Sequence, residues 1–133
     1  MTTPIFLKDY RLHALRTSWH ETALTKAIPR AADYLGIAKW ELAEILGFSG
    51  STATRLWSGE YLLESNKRKE WELATLFFRF YRSLDSIVGN QENARLWLRG
   101  TNSALESKPI DLIFKTEGLI DAIRYLDSHR GRI

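Results

Sequence analysis

The chain has 133 residues, is 44% hydrophobic and carries nineteen basic against sixteen acidic side chains, for a formal net charge of +3. That length suits one domain or two small helical units sharing a core, and the apolar fraction with five tryptophans excludes wholesale disorder. Without cysteine there are no disulfides, thiolate metal sites or cysteine nucleophiles.

No apolar run approaches the roughly 18 residues of a membrane helix, and Met1–Lys8 lacks the basic region and apolar stretch of a secretory signal. A cytoplasmic protein with no membrane partner is expected. The small positive excess is weak support for a nucleic-acid partner. Its distribution runs partly against one, because residues 31–60 carry two basic and four acidic groups. A dimer with basic flanks such as Lys67-Arg68-Lys69 would offset that local acidity.

Strand signals are nearly absent and apolar positions recur at three and four, so the fold class is all-α. The pattern predicts a first helix near Lys8–Trp19 and a second from about Glu21, with Pro29 either ending it or opening the next. Gly36 closes that piece. Two short helices follow, about Lys39–Leu46 and Ser51–Ser58, with Gly59 as a stop. From Glu70 the run Trp71, Leu73, Leu76, Phe77, Phe80, Tyr81, Leu84 and Ile87 keeps helical spacing until Val88-Gly89-Asn90, and Phe78 lies outside its main stripe. That excess of aromatic surface suits a central helix or a homodimer contact. A helix near Gln91–Arg99 comes next, then a polar loop, a short turn opened by Pro109, and a last helix with Thr116 as N-cap and Ile120, Ile123 and Leu126 on one face.

The segment from Lys39 to Trp57 has the spacing of a helix-turn-helix. Ala43 is small where the helices must cross, Gly47 permits the turn, and Leu42, Leu46, Phe48, Ala53 and Leu56 stand where the angle must be filled. Ser49 and Ser51 are both candidate N-caps. The second helix then begins with short polar residues, which suits an element entering the major groove. The candidate DNA contacts are Ser49, Ser51, Thr52 and Arg55, with Arg55 able to make a bidentate contact with guanine. A structural helical hairpin is the alternative reading of the same spacing.

Other constellations carry little. Gly47-Phe48-Ser49-Gly50 fits a GxxG loop, but the KH fold that uses it needs strands. His13 and His20 are seven apart and read as solvated rather than as metal ligands, and His129 has no neighbouring ligand set. Carboxylates, Glu41 and Glu44 among them, read as helix-surface groups without an apolar pocket to raise a pKa. No enzyme, cofactor or metal site is expected. Trp71 and Trp97 read as core, and Trp40 and Trp57 as packing residues in preference to interface anchors.

Three stretches stand out: Leu35-Gly36-Ile37-Ala38-Lys39 through Leu56, then Glu72-Leu73-Ala74-Thr75-Leu76 through Gly89, and then Ala94-Arg95-Leu96-Trp97-Leu98 with Asn102, Ala104-Leu105, Pro109–Ile113 and Thr116-Glu117-Gly118. Together they resemble the Xre/MbcA/ParS antitoxin family. The likeness spans roughly residues 30–131, and the first 29 have no part in it. It implies an Xre-like helix-turn-helix unit for DNA binding and dimerisation over residues 1–89, and a small helical toxin-binding module over residues 90–133. It further implies a RES-domain toxin that consumes or transfers from NAD and is blocked at its active site, operator DNA as second partner, and a homodimer that forms a higher-order hetero-oligomer with the toxin. Arg130, Arg132 and Ile133 are the candidate toxin contacts, since guanidinium groups pair with acidic residues and a terminal carboxylate can mimic an anionic substrate group. The chain departs from the family where paired glycines commonly follow the Ala-Leu of the loop, because Glu106-Ser107 stand there. A stand-alone repressor with a C-terminal dimerisation or effector module, and a structural adaptor that never meets DNA, are the rival readings.

Overall fold

The computed structural model describes the backbone of residues 5–130 and the side chains of residues 19–130. The described residues form seven helices and no strand: α1 (Ile5–Leu35), α2 (Lys39–Leu46), α3 (Gly50–Ser58), α4 (Arg68–Val88), α5 (Gln91–Arg99), α6 (Pro109–Leu112) and α7 (Thr116–His129). None of these helices is long and apolar enough to cross a membrane.

The predicted break after Trp19 does not occur, and α1 runs unbroken through Pro29. Proline costs a helix one hydrogen bond and a clash with the preceding turn. Here Ile28, Ala31, Ala32 and Leu35 are all buried around it, so packing on both sides of the proline outweighs the local penalty. Gly36 then ends α1 as expected, with φ +70 and the amide of Ile37 returning to the Ala32 carbonyl at 2.8 Å.

Helix α4 is the central strut. Leu73, Ala74, Phe77, Phe80 and Leu84 are buried along it, and it packs against α1, α2, α5 and α7. Phe78 and Tyr81, off that stripe, are only partly buried. One hydrophobic cluster runs from Ile28 of α1 through α2–α6 to Leu126 of α7, so both halves of the chain share it.

Helix α7 buries Leu119, Ala122, Ile123 and Leu126 against α4, whereas Ile120 lies at the edge. Its N-cap is Lys115 and not Thr116, which is the first helical residue. Gly118 is buried there because a Cβ would stand 2.0 Å from the carbonyl oxygen of Leu112, so only glycine lets the first turn of α7 lie on the end of α6. Between α5 and α6 an isolated bridge pairs Asn102 with Ser107. Glu106 in that loop has φ +55, a left-handed conformation that glycine adopts more easily, and it stands where the family commonly has paired glycines.

Candidate functional site

Two surfaces meet on α2. The first is the α2–α3 pair. Gly47 caps α2 with φ +72, and the amide of Phe48 returns to the Ala43 carbonyl at 2.7 Å, which turns the chain within three residues. Leu42, Ala43, Leu46, Ala53 and Leu56 are buried at the crossing. Phe48 is only partly buried and meets Tyr61 edge-on.

Ser49, and not Ser51, is the N-cap of α3: its Oγ accepts from the Thr52 amide at 3.2 Å. The same Oγ donates to Thr52 Oγ1 at 2.9 Å and lies 3.1 Å from Ser51 Oγ, so three hydroxyls form one small network at the start of the helix. Gly50 has an ordinary backbone conformation and nothing within 4 Å of where a Cβ would be, so the fold itself does not require glycine there. Arg55 is exposed one turn on; its Nη2 donates to the Glu60 carbonyl at 3.2 Å and its guanidinium lies 5.8 Å from the Tyr61 ring centre. Ser49, Thr52 and Tyr61 share a groove with Lys69, which brings the start of α4 beside the start of α3. The Tyr61 hydroxyl donates to Glu70 Oε1, and burial together with that carboxylate pushes its pKa up to about 12.

The second surface is α5 and what it holds. Arg95 Nε donates to the Tyr34 carbonyl at 3.0 Å and its Nη2 to the Asp33 carbonyl at 2.8 Å, which also accepts from the Gly36 amide, so the guanidinium binds the last carbonyls of α1. One turn later, Arg99 Nη2 donates to the Gly36 carbonyl at 2.9 Å and to Glu41 Oε1 at 2.7 Å, while Nη1 donates to Glu41 Oε2 at 2.7 Å. Glu41 is therefore no surface group: it is 4% exposed, and its Oε1 also accepts from the Ala38 amide at 2.9 Å, capping α2. Its neighbour Glu44 is exposed. The bidentate Arg99 hydrogen bonds hold the Glu41 carboxyl below the usual carboxylate range, with the Ala38 amide adding to them and burial opposing both.

Trp40 is not core either. It is 63% exposed, one residue before Glu41, with its ring stacked 6.2 Å from that of Phe114 at the end of α6. Trp57 is half-buried and its Nε1 donates to Asp33 Oδ1 at 3.2 Å. Arg130 follows α7 at the surface, its Nη1 3.9 Å from Asp127 Oδ1, while Arg132 and Ile133 lie outside the described residues. The side chain of His13 also lies outside them. His20 packs edge-on against Trp19.

Residues 83–132 match the family described as the antitoxin Xre/MbcA/ParS C-terminal toxin-binding domain. The matched stretch begins inside α4 and includes Arg95, Arg99 and α7. No curated protein matches the chain.

The Glu41–Arg99 pair has a readable pH signature. Because the folded-state pKa of Glu41 is lowered, its contribution to stability is complete above the ordinary carboxylate range and is lost as the pH falls through the lowered value. Arg99→Ala leaves a buried carboxylate with only the Ala38 amide, and is expected to cost about 1–3 kcal/mol at pH 7. Urea unfolding of both proteins between pH 7 and pH 3 should show the deficit shrinking as Glu41 protonates; a deficit that stays constant with pH would remove the carboxylate from the explanation.

Proposed function

We propose that this chain, whose residues 83–132 match the antitoxin Xre/MbcA/ParS C-terminal toxin-binding domain, neutralises a RES-domain, NAD-consuming toxin by covering its active site and represses its own operon through a helix-turn-helix. The single observation that carries the reading is the toxin-binding domain match. In this reading residues 1–89 bind DNA and dimerise, residues 90–133 bind the toxin, and the chain itself catalyses nothing.

The α2–α3 pair supports the DNA-binding half of the proposal. The exposed start of α3 carries Ser49, Ser51, Thr52 and Arg55, with Gly50 leaving room for close approach of a phosphate or base edge. Lys69 in the adjoining groove adds positive charge beside it. A homodimer would present two such helices to a palindromic operator, with half-sites one helical turn or a multiple apart. Arg55→Ala is expected to weaken operator binding by about 1–3 kcal/mol. The fold should survive, because among the described residues the polar contacts of the Arg55 side chain are with the exposed Glu60 carbonyl and the Tyr61 ring. An electrophoretic shift with the chain's own promoter, alongside circular dichroism, checks this; unchanged operator affinity would remove Arg55 from the interface.

On the toxin side, Arg130, Arg132 and Ile133 are proposed to reach into the active site, where guanidinium groups pair with acidic residues and the terminal carboxylate stands in for an anionic group of the substrate. Deleting residues 130–133 and co-expressing the truncated chain with the toxin encoded beside it should release NAD depletion and arrest growth. Normal growth with a full NAD pool would assign neutralisation to the body of the module instead.

A further inference from the structure

The middle of α4 holds a strongly basic cleft. Thr75, Phe78, Arg79, Arg82 and Ser83 of α4 line it together with Arg130 after α7. Positions 75, 79 and 82 recur at four and three, so one face of the helix presents them side by side. Asp127 of α7 meets Arg79, Ser83 and Arg130 but not Arg82, and it is already engaged: Arg79 Nη2 donates to its Oδ2 at 2.8 Å, and Ser83 Oγ donates to its Oδ1 at 3.0 Å. Ser83 is 2% exposed, so a buried hydroxyl fixes the carboxylate that in turn fixes Arg79. Arg130 reaches the same carboxylate only at 3.9 Å, and Arg82 makes no hydrogen bond or ion pair among the described residues. Three guanidinium groups line the cleft, and the described residues set one carboxylate, Asp127, against two of them, which leaves a positive excess in a partly enclosed space.

We infer that this cleft docks an acidic segment of the toxin, with paired carboxylates seated between Arg79, Arg82 and Arg130, so that the toxin-facing surface extends from the matched residues onto α4 upstream of Ser83. The inference rests on the toxin-binding reading above and adds the chemistry of the partner and two residues outside the matched stretch. Guanidinium groups take carboxylates bidentately, and the free fork of Arg82 beside the pre-set fork of Arg79 suits that geometry. The half-buried ring of Phe78 walls one side and lowers the local dielectric, which strengthens each pairing.

Two other occupants fit less well. Operator DNA is expected at the start of α3, and Arg82 lies about 20 Å further along α4 than Lys69, at 1.5 Å per residue. A second copy meeting this face across a two-fold axis would set the same guanidinium groups against one another.

The test measures binding of the full chain to the toxin encoded beside it, and to operator DNA, by titration at low and at physiological salt. Arg82→Glu is expected to weaken toxin binding by about tenfold or more, with the larger loss at low salt, while Arg82→Lys, which keeps the charge but loses the bidentate fork, falls between Arg82→Glu and wild type, and both variants bind operator DNA as wild type does. Toxin affinity unchanged in Arg82→Glu, with the wild-type chain binding normally, would overturn the cleft and leave the toxin-binding reading standing. Loss of operator binding in its place would make the cleft a nucleic-acid contact, and a change confined to self-association in sedimentation would make it a contact between copies; either overturns the inference. A wild-type chain that does not bind the toxin at all would overturn both.

Discussion

A carboxylate buried at position 41 needs a cation, and this fold supplies one by bringing Arg99 of α5 against the start of α2. Burying Glu41 alone would cost several kcal/mol or force it to protonate. Arg99 meets both of its oxygens, and the same guanidinium takes the Gly36 carbonyl. Arg95 occupies the carbonyls of Asp33 and Tyr34 one turn away. The end of α1, the cap of α2 and the length of α5 are thereby fixed together, and the rest of the packing follows from that placement. Helix α4 lies under all three, and α7 closes over α4.

This arrangement bears on how the two proposed activities coexist in so short a chain. The helix that carries Arg95 and Arg99 lies within the stretch matched to the toxin-binding domain, and the helix they hold carries the turn into α3. A displacement of α5 on meeting a partner must either break these charge-assisted hydrogen bonds or carry the start of α2 with it. Trp40 and Phe114 span the same seam at the surface, one from each side of it. The partner-binding half and the α2–α3 pair thus share a mechanical joint as well as a core, which is the physical requirement for one site to sense the other.

Much of the fold was legible in the sequence because its signals are local. Gly47, Gly59 and Gly89 mark helix ends with positive φ, and the apolar spacing from Trp71 to Ile87 gives α4 within two residues. The bounds expected for α5, Gln91–Arg99, are those observed. The discrepancies are those that depend on distant partners. Pro29 reads as a boundary until Ile28, Ala31, Ala32 and Leu35 are seen buried around it. Glu41 reads as a surface residue because it is a charged side chain on a short helix beside Lys39 and Glu44, and its partner lies 58 positions away. Residue type favours a packed Trp40, but it says nothing of the direction in which α2 points the ring, which is outward. At the candidate DNA surface the residue types were legible but the division of labour was not, since only the hydroxyl network distinguishes Ser49 as the cap from Ser51.

The central claim is that Arg99 and Glu41 make α2 and α5 one cooperative unit. Native-state hydrogen exchange read at the backbone amides of Leu42 and Ile45 in α2 and of Leu98 in α5 tests it most directly, because each amide reports the free energy of the smallest opening that exposes it. In the wild-type chain these amides should share one opening free energy, and in Arg99→Ala those of α2 should exchange earlier than Leu98. Separate opening free energies for α2 and α5 in the wild type, unaltered by Arg99→Ala, would contradict the account.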